Sequence, residues 1–394
     1  MQINIDKILP TILGFYVMCV LVLDDLPVLY MLSNVVFAFL VMLTLMRRSF
    51  MVYRSAFTFF VVALIVWTGM SLFWCHDSDA VIGDIKKQIL FFVLIFVSTN
   101  LIHKRSDLQV IFKWFIIAGI VYFVWLMFSY GFQYFISEIL AGNRIGDEFL
   151  QLNKLAMNCA IIFIISLNLL LYKKKKVYII PMIMMLFLML GAESRRAFLV
   201  LIICSVLSYI LYIKEETRSR KKIVKIIIGI IIIFITVHLF DNSALFKSLN
   251  NRFDEFQNIE SQDTLREKYL EYGYQSFLEH PILGLGSGNS HIITLAAAGK
   301  KTYLHNNYME MLVDLGIVGF LLYYSIYAYL IKSLISTGVD DIETKIMLII
   351  LVGQLISDFG VTSYSYKFTY LVFGLAYALI LTKKGFYIDH RYVN

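Results

Sequence analysis

The chemistry on offer in this sequence sits on a few arginines, one histidine and the carboxylates that follow it. Arg195 and Arg196 stand in "GAESRRAFLVLII", after Glu193 and Ser194 and at the head of an apolar run. A helix starting there presents unpaired backbone N–H groups and the positive end of its dipole, and both attract anions. Two guanidiniums at such a start make a phosphate site, since Arg meets phosphate oxygens with paired hydrogen bonds. Arg266, in "TLREKYLEYGYQSFLEH", occupies the first turn of a second helix start, where Thr264 and Glu267 are spaced as a capping box. Arg252, in "NNRFDEF", is a further cation, with acidic neighbours that could occupy it as surface charge.

The stretch "LHNNYMEMLVDLGIVGFLLYYSIYAYLI" opens with His305, Asn306 and Asn307, carries Glu310 and Asp314, and then turns apolar. Those polar groups are costly beside hydrocarbon unless a polar cavity meets them. A lone histidine at such a boundary is ordinarily structural. Here Asn306 follows it at once and Glu310 one turn later, and an imidazole accepts a proton near neutral pH, which suits activating a hydroxyl. His280 and His291 are weaker candidates for that role. Asp358, in "QLISDFG", adds a carboxylate with Tyr364, Tyr366 and Lys367 just beyond it. Arg195, Arg266 and His305, with Arg196, Asn306, Glu310, Asp358, Arg252 and His280, are the candidates for reaction and substrate binding, although Arg266 by itself reads more readily as a solvated surface charge. No His/Cys/Glu set has metal-ligand spacing and no GxSxG elbow occurs, so neither metal nor cofactor is expected.

Composition decides what positions these residues. The chain has 394 residues, 59% hydrophobic and only 16% charged, with a mean hydropathy of +0.75, which excludes a soluble domain and fits a polytopic membrane protein. Four prolines among 25 Tyr and 32 Phe fit long helices with aromatic belts. The +7 net charge does not indicate nucleic acid, because its lysines and arginines cluster between apolar runs, as cytoplasmic loop charges do. Cys19, Cys159 and Cys204 lie within apolar runs and Cys75 near the end of one, so all four read as packing residues.

At roughly 17–25 residues per crossing, the apolar runs predict an all-α protein of about 12 transmembrane helices. They fall near 8–23, 27–46, 55–74, 88–102, 107–130, 154–172, 177–192, 196–213, 223–240, 307–334, 344–360 and 366–382. The first run ends in "LDDLP" rather than in a small-residue cleavage site and reads as a retained span. The basic clusters "RRSFMVYR", "HKR", "KKKK", "KEETRSRKK" and "KKGFYIDHR" fall in every second connection, which puts them and both termini in the cytoplasm. Arg195 and Arg196 then lie on the opposite face, where short loops are poor in positive charge. An anchoring role for them is correspondingly less apt than an anion site.

Residues 1–240 thus read as nine spans, 241–306 as one long extracytoplasmic loop, and 307–394 as three spans with a short tail. Loops of that length carry function or their own structure. Leu245, Leu249, Phe253 and Phe256 share a stripe, predicting a helix at the membrane surface, and "HPILGLGSGNS" is a glycine-spaced loop that permits close backbone approach. No internal repeat or matched pair of broken helices supports a transporter.

At these residues the chain resembles the O-antigen ligase/polymerase superfamily, bacterial membrane glycosyltransferases with a glycosyltransferase C-like helical arrangement. "ESRRAFLVLI" is similar to the family's Ser/Thr-Arg segment. "REKYLEYGYQSFLEHPILGLGSGN" is similar to its loop helix ending in His-Pro-x-x-Gly-x-Gly, and "LHNNYMEMLVDLGIVGFLLYY" to its His-Asn pattern, with His305 as the family's histidine. A second arginine, where the family often has Gly or Ala, is a departure; the Ser-Arg alignment favours Arg195 over Arg196. The resemblance implies a donor of undecaprenyl-pyrophosphate-linked oligosaccharide, held by Arg195, Arg196 and Arg266, and a glycan acceptor activated by His305. It implies inversion at the anomeric carbon without metal, in the cytoplasmic membrane, alongside a chain-length regulator and a flippase. The family holds both polymerases and ligases to lipid A-core, and the polymerase is favoured here. A lipid-linked glycan flippase is the alternative from another class, and it would require ionisable residues at mid-span.

Overall fold

The computed structural model describes residues 5–24, 29–46, 51–141, 152–192, 194–214 and 263–385. The predicted span 223–240, the surface stripe from Leu245 to Phe256 and Arg252 lie outside the described residues. Every regular element among the described residues is helical. In chain order they are α1 (Ile5–Val22), α2 (Tyr30–Met46), α3 (Ala56–Met70), α4 (Ser78–Leu101), α5 (Arg105–Tyr130), α6 (Phe132–Ala141) and α7 (Leu152–Lys173). Then follow α8 (Ile179–Ala192), α9 (Arg195–Lys214), α10 (Asp263–Glu279), α11 (His291–Ala298), α12 (Asn307–Ser336), α13 (Ile342–Ser357) and α14 (Lys367–Lys383).

Among the described residues, five segments are long and apolar enough to cross a membrane: Ala56–Phe73, Arg105–Tyr130, Leu152–Lys173, Arg196–Lys214 and Asn307–Ser336. Shorter apolar helices occupy Ile8–Val22, Tyr30–Met46 and Lys176–Ala192. Their packing is that of a multi-pass membrane protein. In α3, Phe57, Val61 and Leu64 are buried while Phe59, Val62 and Val66 are exposed, so apolar residues cover both faces, as lipid on the outer side requires. One helix begins well before its predicted span. It was expected near 88–102, yet α4 starts at Ser78, because Asp77 caps it through the N–H groups of Asp79 and Ala80. Its early polar residues Asp84 and Gln88 are buried in protein.

The chain divides into two compact units, with the division inside α5 after Trp114. In the unit containing Phe115–Glu260, α7 packs on α8 and α9. Asn168 on α7 donates to Ser208 Oγ on α9 at 2.9 Å, a buried polar tie between two apolar helices. In the other unit α4 lies along α14, and α3 along α12. Gly374 on α14 lets α4 approach, since a Cβ there would stand 2.8 Å from Ser98 Cβ. At one end of this unit Lys383 donates to Asp341 Oδ2 at 2.7 Å, to Thr344 Oγ1 and to the Gly338 carbonyl, and Arg105 lies 3.6 Å from Asp341. Burial pushes the Asp341 carboxyl up, but the bonds from Lys383 and Thr344 outweigh it and hold it below its usual range.

The element that shapes the opposite end is a break in α12. Gly316 has φ 62° and ψ −169°, outside helical geometry. The turn 281–286 enters the break and takes over its ladder. Ile317 N–H donates to the Pro281 carbonyl at 2.9 Å, while Leu285 and Gly286 N–H donate to the carbonyls of Val313 and Asp314 at 2.8 and 2.9 Å. Trp67 Nε1 from α3 serves the next carbonyl, Leu315, at 2.9 Å. Irregular backbone at membrane depth is tolerated where protein supplies such partners. A Cβ on Gly316 would lie 2.1 Å from the Ile282 carbonyl oxygen, and one on Gly284, at φ 68°, would lie 2.6 Å from Asp314 backbone. Gly316→Ala is therefore expected to abolish the folded form. Size-exclusion of detergent-solubilised protein should show aggregate in place of the native peak; a monodisperse peak with an unchanged melting temperature would mean that the turn and the helix can separate freely.

Candidate active site

The turn seated in α12 leads into Ser287, Asn289 and Ser290, all buried, and the two serines meet carboxylates from two helices, α4 and α12. Ser287 Oγ donates to Asp84 Oδ2 on α4 at 2.9 Å, and Lys87 Nζ to Asp84 Oδ1 at 3.0 Å. Ser290 N–H donates to Asp314 Oδ1 at 2.6 Å and Ser290 Oγ to Glu310 Oε1 at 2.9 Å. Tyr364, from the α13–α14 connection, has its hydroxyl 2.6 Å from Asp314 Oδ2 and 3.4 Å from Asp84 Oδ2. A phenol has one proton to give, so it serves the nearer carboxylate. Asn289 ties the same turn to the start of α4, accepting from Asp77 N–H at 2.7 Å.

A second set of bonds continues to Asn307, which is fully buried at the first turn of α12. Its amide donates to Asp358 Oδ2 at 3.2 Å, its carbonyl accepts from the N–H groups of Ser363 and Tyr364, and its own N–H donates to the Asp358 carbonyl at 2.7 Å. Tyr324 donates to Asp358 Oδ2 at 3.0 Å. The polar opening of α12 thus faces protein donors on two loops, which is how carboxylates survive at a helix otherwise made for lipid.

His305 stands at the edge of this network. It is half-buried, with φ 57°, a left-handed backbone that costs a non-glycine residue about 1–2 kcal/mol. The neighbouring residues fix that geometry. Leu304 N–H donates to Glu310 Oε2 at 2.6 Å, Asn306 caps α12 by accepting from Met309 N–H at 3.1 Å, and Asn307 is pinned as above. Strain of this kind, maintained by surrounding bonds, is a common property of reacting groups. The imidazole packs against Tyr303, ring centroids 4.1 Å apart, and against Tyr269 on α10 at 6.4 Å, nearly parallel. Tyr269 is one helical turn after Arg266, so α10 presents both on neighbouring positions of one face.

Of the residues singled out in the sequence, His305, Asn306, Glu310 and Asp358 are gathered at this end of one unit, with Arg266 on the helix that touches His305. His280 is exposed and lines a separate cleft. Arg195 is the first residue of α9 in the other unit, as a helix-start site requires, with Ser194 buried and its carbonyl accepting from Phe198 N–H at 3.2 Å. Arg196 follows, half-buried. Asp84, Asn307, Ser287 and Ser290 were missed as site residues. Asp84 had a readable signal, because Val81, Asp84, Gln88 and Phe91 follow helical spacing and place two polar residues on an otherwise apolar stripe.

The three segments that carry the candidate residues also fall together in a comparison with known families. Residues 180–324 match the family model described as O-antigen ligase. Over that segment, somewhat more than a third of the chain, the protein is similar to the O-antigen ligase family. No curated protein matches the chain. The matched segment runs from α8 through the break in α12, so it contains Arg195, Arg266, the glycine turn and His305, and ends eight residues past Gly316. Within it Glu310 is bonded on both oxygens to protein groups and is buried to 4% exposure. Glu310→Ala is expected to strand the Leu304 N–H and the Ser290 hydroxyl, at about 1–3 kcal/mol for each buried unpaired group. A melting temperature several degrees lower in detergent, with reduced glycan output, would follow; an unchanged melting temperature rules out this structural role.

Proposed function

We propose that this membrane glycosyltransferase polymerises undecaprenyl-pyrophosphate-linked oligosaccharide repeat units on the outer face of the cytoplasmic membrane. The observation that carries the reading is His305, held in left-handed backbone against the helix of Arg266 inside an O-antigen ligase segment. In this reading the chain crosses the membrane about 12 times with both termini inside, in a glycosyltransferase C-like arrangement. Arg195, Arg196 and Arg266 bind the pyrophosphate of the donor, whose lipid tail stays in the bilayer. Asn306, Glu310, Asp358, Arg252 and His280 contribute to substrate binding. The buried network now supports a positioning role for Glu310 and Asp358.

His305 takes the proton of an acceptor sugar hydroxyl as that oxygen attacks the anomeric carbon. The bond from that carbon to the pyrophosphate oxygen breaks on the opposite side, inverting the centre, and the pyrophosphate leaves with the electron pair. The arginines stabilise the charge that develops there, a term typically larger than the proton transfer. They also make a divalent ion unnecessary in this scheme. The partners are then the lipid-linked donor, a glycan acceptor, the bilayer, a chain-length regulator and a flippase that delivers the donor.

The polymerase reading rests on the likeness of the 305–324 stretch to polymerase sequences. The ligase reading, transfer to lipid A-core, is favoured by the description of the matching family. Purified protein in nanodiscs, given only lipid-linked repeat units and a chelator, is expected to build a ladder of longer lipid-linked products. Product that stays at one unit until lipid A-core is added makes the protein a ligase. Lipid that crosses the bilayer without any transfer makes it a flippase.

A further inference from the structure

Along α10 an open cleft of about 310 Å³ is lined by Tyr272, Gln275, Ser276, Glu279 and His280, together with His76 from the α3–α4 turn. Its floor is apolar, made by Leu285, Ile292 and Ile293. The volume is at the lower end of the roughly 300–1,000 Å³ usual for small-ligand sites. The lining has no lysine or arginine, which argues against a phosphate or another anion. Among the described residues no three His, Cys, Asp or Glu side chains are grouped to share a metal ion. What the lining does supply is a phenol ring for stacking, an amide, a carboxylate and two imidazoles, a mixture of donors and acceptors around an apolar base. A sugar ring has that pattern inverted, with hydroxyls that each donate and accept at its rim and C–H groups on its faces.

Position along the helix adds the second constraint. At 1.5 Å per residue, Tyr272 and Glu279 stand about 9 and 20 Å along α10 from Arg266. We infer that this cleft is a glycan subsite, which holds sugars of the oligosaccharide beyond the one that reacts. The inference rests on the reading of Arg266 as a pyrophosphate ligand, which sets the origin from which those sugars extend. The sugars can belong to the donor or to the acceptor, and the chemistry of the cleft is the same for both.

The test uses the full chain in nanodiscs and, as probe, the repeat-unit oligosaccharide released from the host's own lipid-linked intermediate by mild acid. Saturation-transfer NMR should show contact to its sugar protons, weakened about tenfold in Tyr272→Ala/Gln275→Ala, as loss of a stacking face and a hydrogen bond implies. Arg266→Ala should leave this lipid-free binding intact, which separates the cleft from the pyrophosphate site. No contact in the native protein, or equal contact in the double variant, overturns the subsite whatever the transfer assay shows. In transfer kinetics the double variant should raise KM about tenfold for whichever substrate uses the cleft. A rise for full-length donor but not for donor trimmed to its first sugar assigns the cleft to the donor glycan; the same contrast with trimmed acceptor assigns it to the acceptor. An unchanged KM for both full-length substrates overturns the inference, while transfer itself continues to support the polymerase.

Discussion

Alanine at Arg195 or at Arg266 is expected to abolish glycan product while the protein remains inserted and folded, and the lipid-linked donor should accumulate in the cells. Both residues open helices, Arg195 at the first position of α9 and Arg266 in the first turn of α10, where backbone N–H groups lack intrahelical partners. A phosphate placed there gains those donors and the guanidinium together, and its departure in the reaction is where the developing charge lies. Lysine should rescue poorly at either position, since a point charge cannot reproduce two parallel hydrogen bonds. Arg196→Ala provides the internal comparison. Normal polymer from Arg195→Ala but not from Arg196→Ala would transfer the role to the second arginine, and normal polymer from both would remove phosphate binding from the start of α9.

His305→Ala should bind donor with native affinity and transfer it slowly, by the roughly 10²–10⁴-fold factor that a general base contributes. The native rate should fall in acid as the imidazole becomes protonated, and the alanine variant should lose that limb of the profile. Because His305 sits at φ 57°, a His305→Gly variant separates chemistry from strain. Glycine adopts that backbone freely, so it should match alanine in rate while equalling or exceeding the native melting temperature. Full turnover in either variant would leave His305 as an interfacial packing residue, and the base would have to be sought elsewhere.

The helices were legible in the sequence because lipid imposes a simple rule. Runs of apolar residues of spanning length must be helical, and eleven of the twelve predicted ranges fall on described helices, several with ends within two or three residues. The start of α4 was the exception, since its first turns carry Asp79, Asp84, Lys86 and Lys87 and hydropathy alone cannot extend a span through them. The helix starts near Arg195 and Arg266 and the end of α10 before Pro281 were also local, and so were readable, although α10 begins at Asp263 and takes the expected cap residue Thr264 inside the helix. What became of Glu310 was not. Sequence showed a carboxylate one turn from His305 and read it as facing substrate. In the fold Ser290, Leu304 and Thr362 all donate to it, so both of its oxygens are engaged by protein groups beside the strained loop. The glycine turn likewise announced a close approach, but only the tertiary structure shows its partner, the broken ladder at Gly316. Such partners lie tens of residues apart in the chain. A local pattern specifies which groups need hydrogen bonds, whereas the identity of the donors is decided by which distant backbone the fold brings to them.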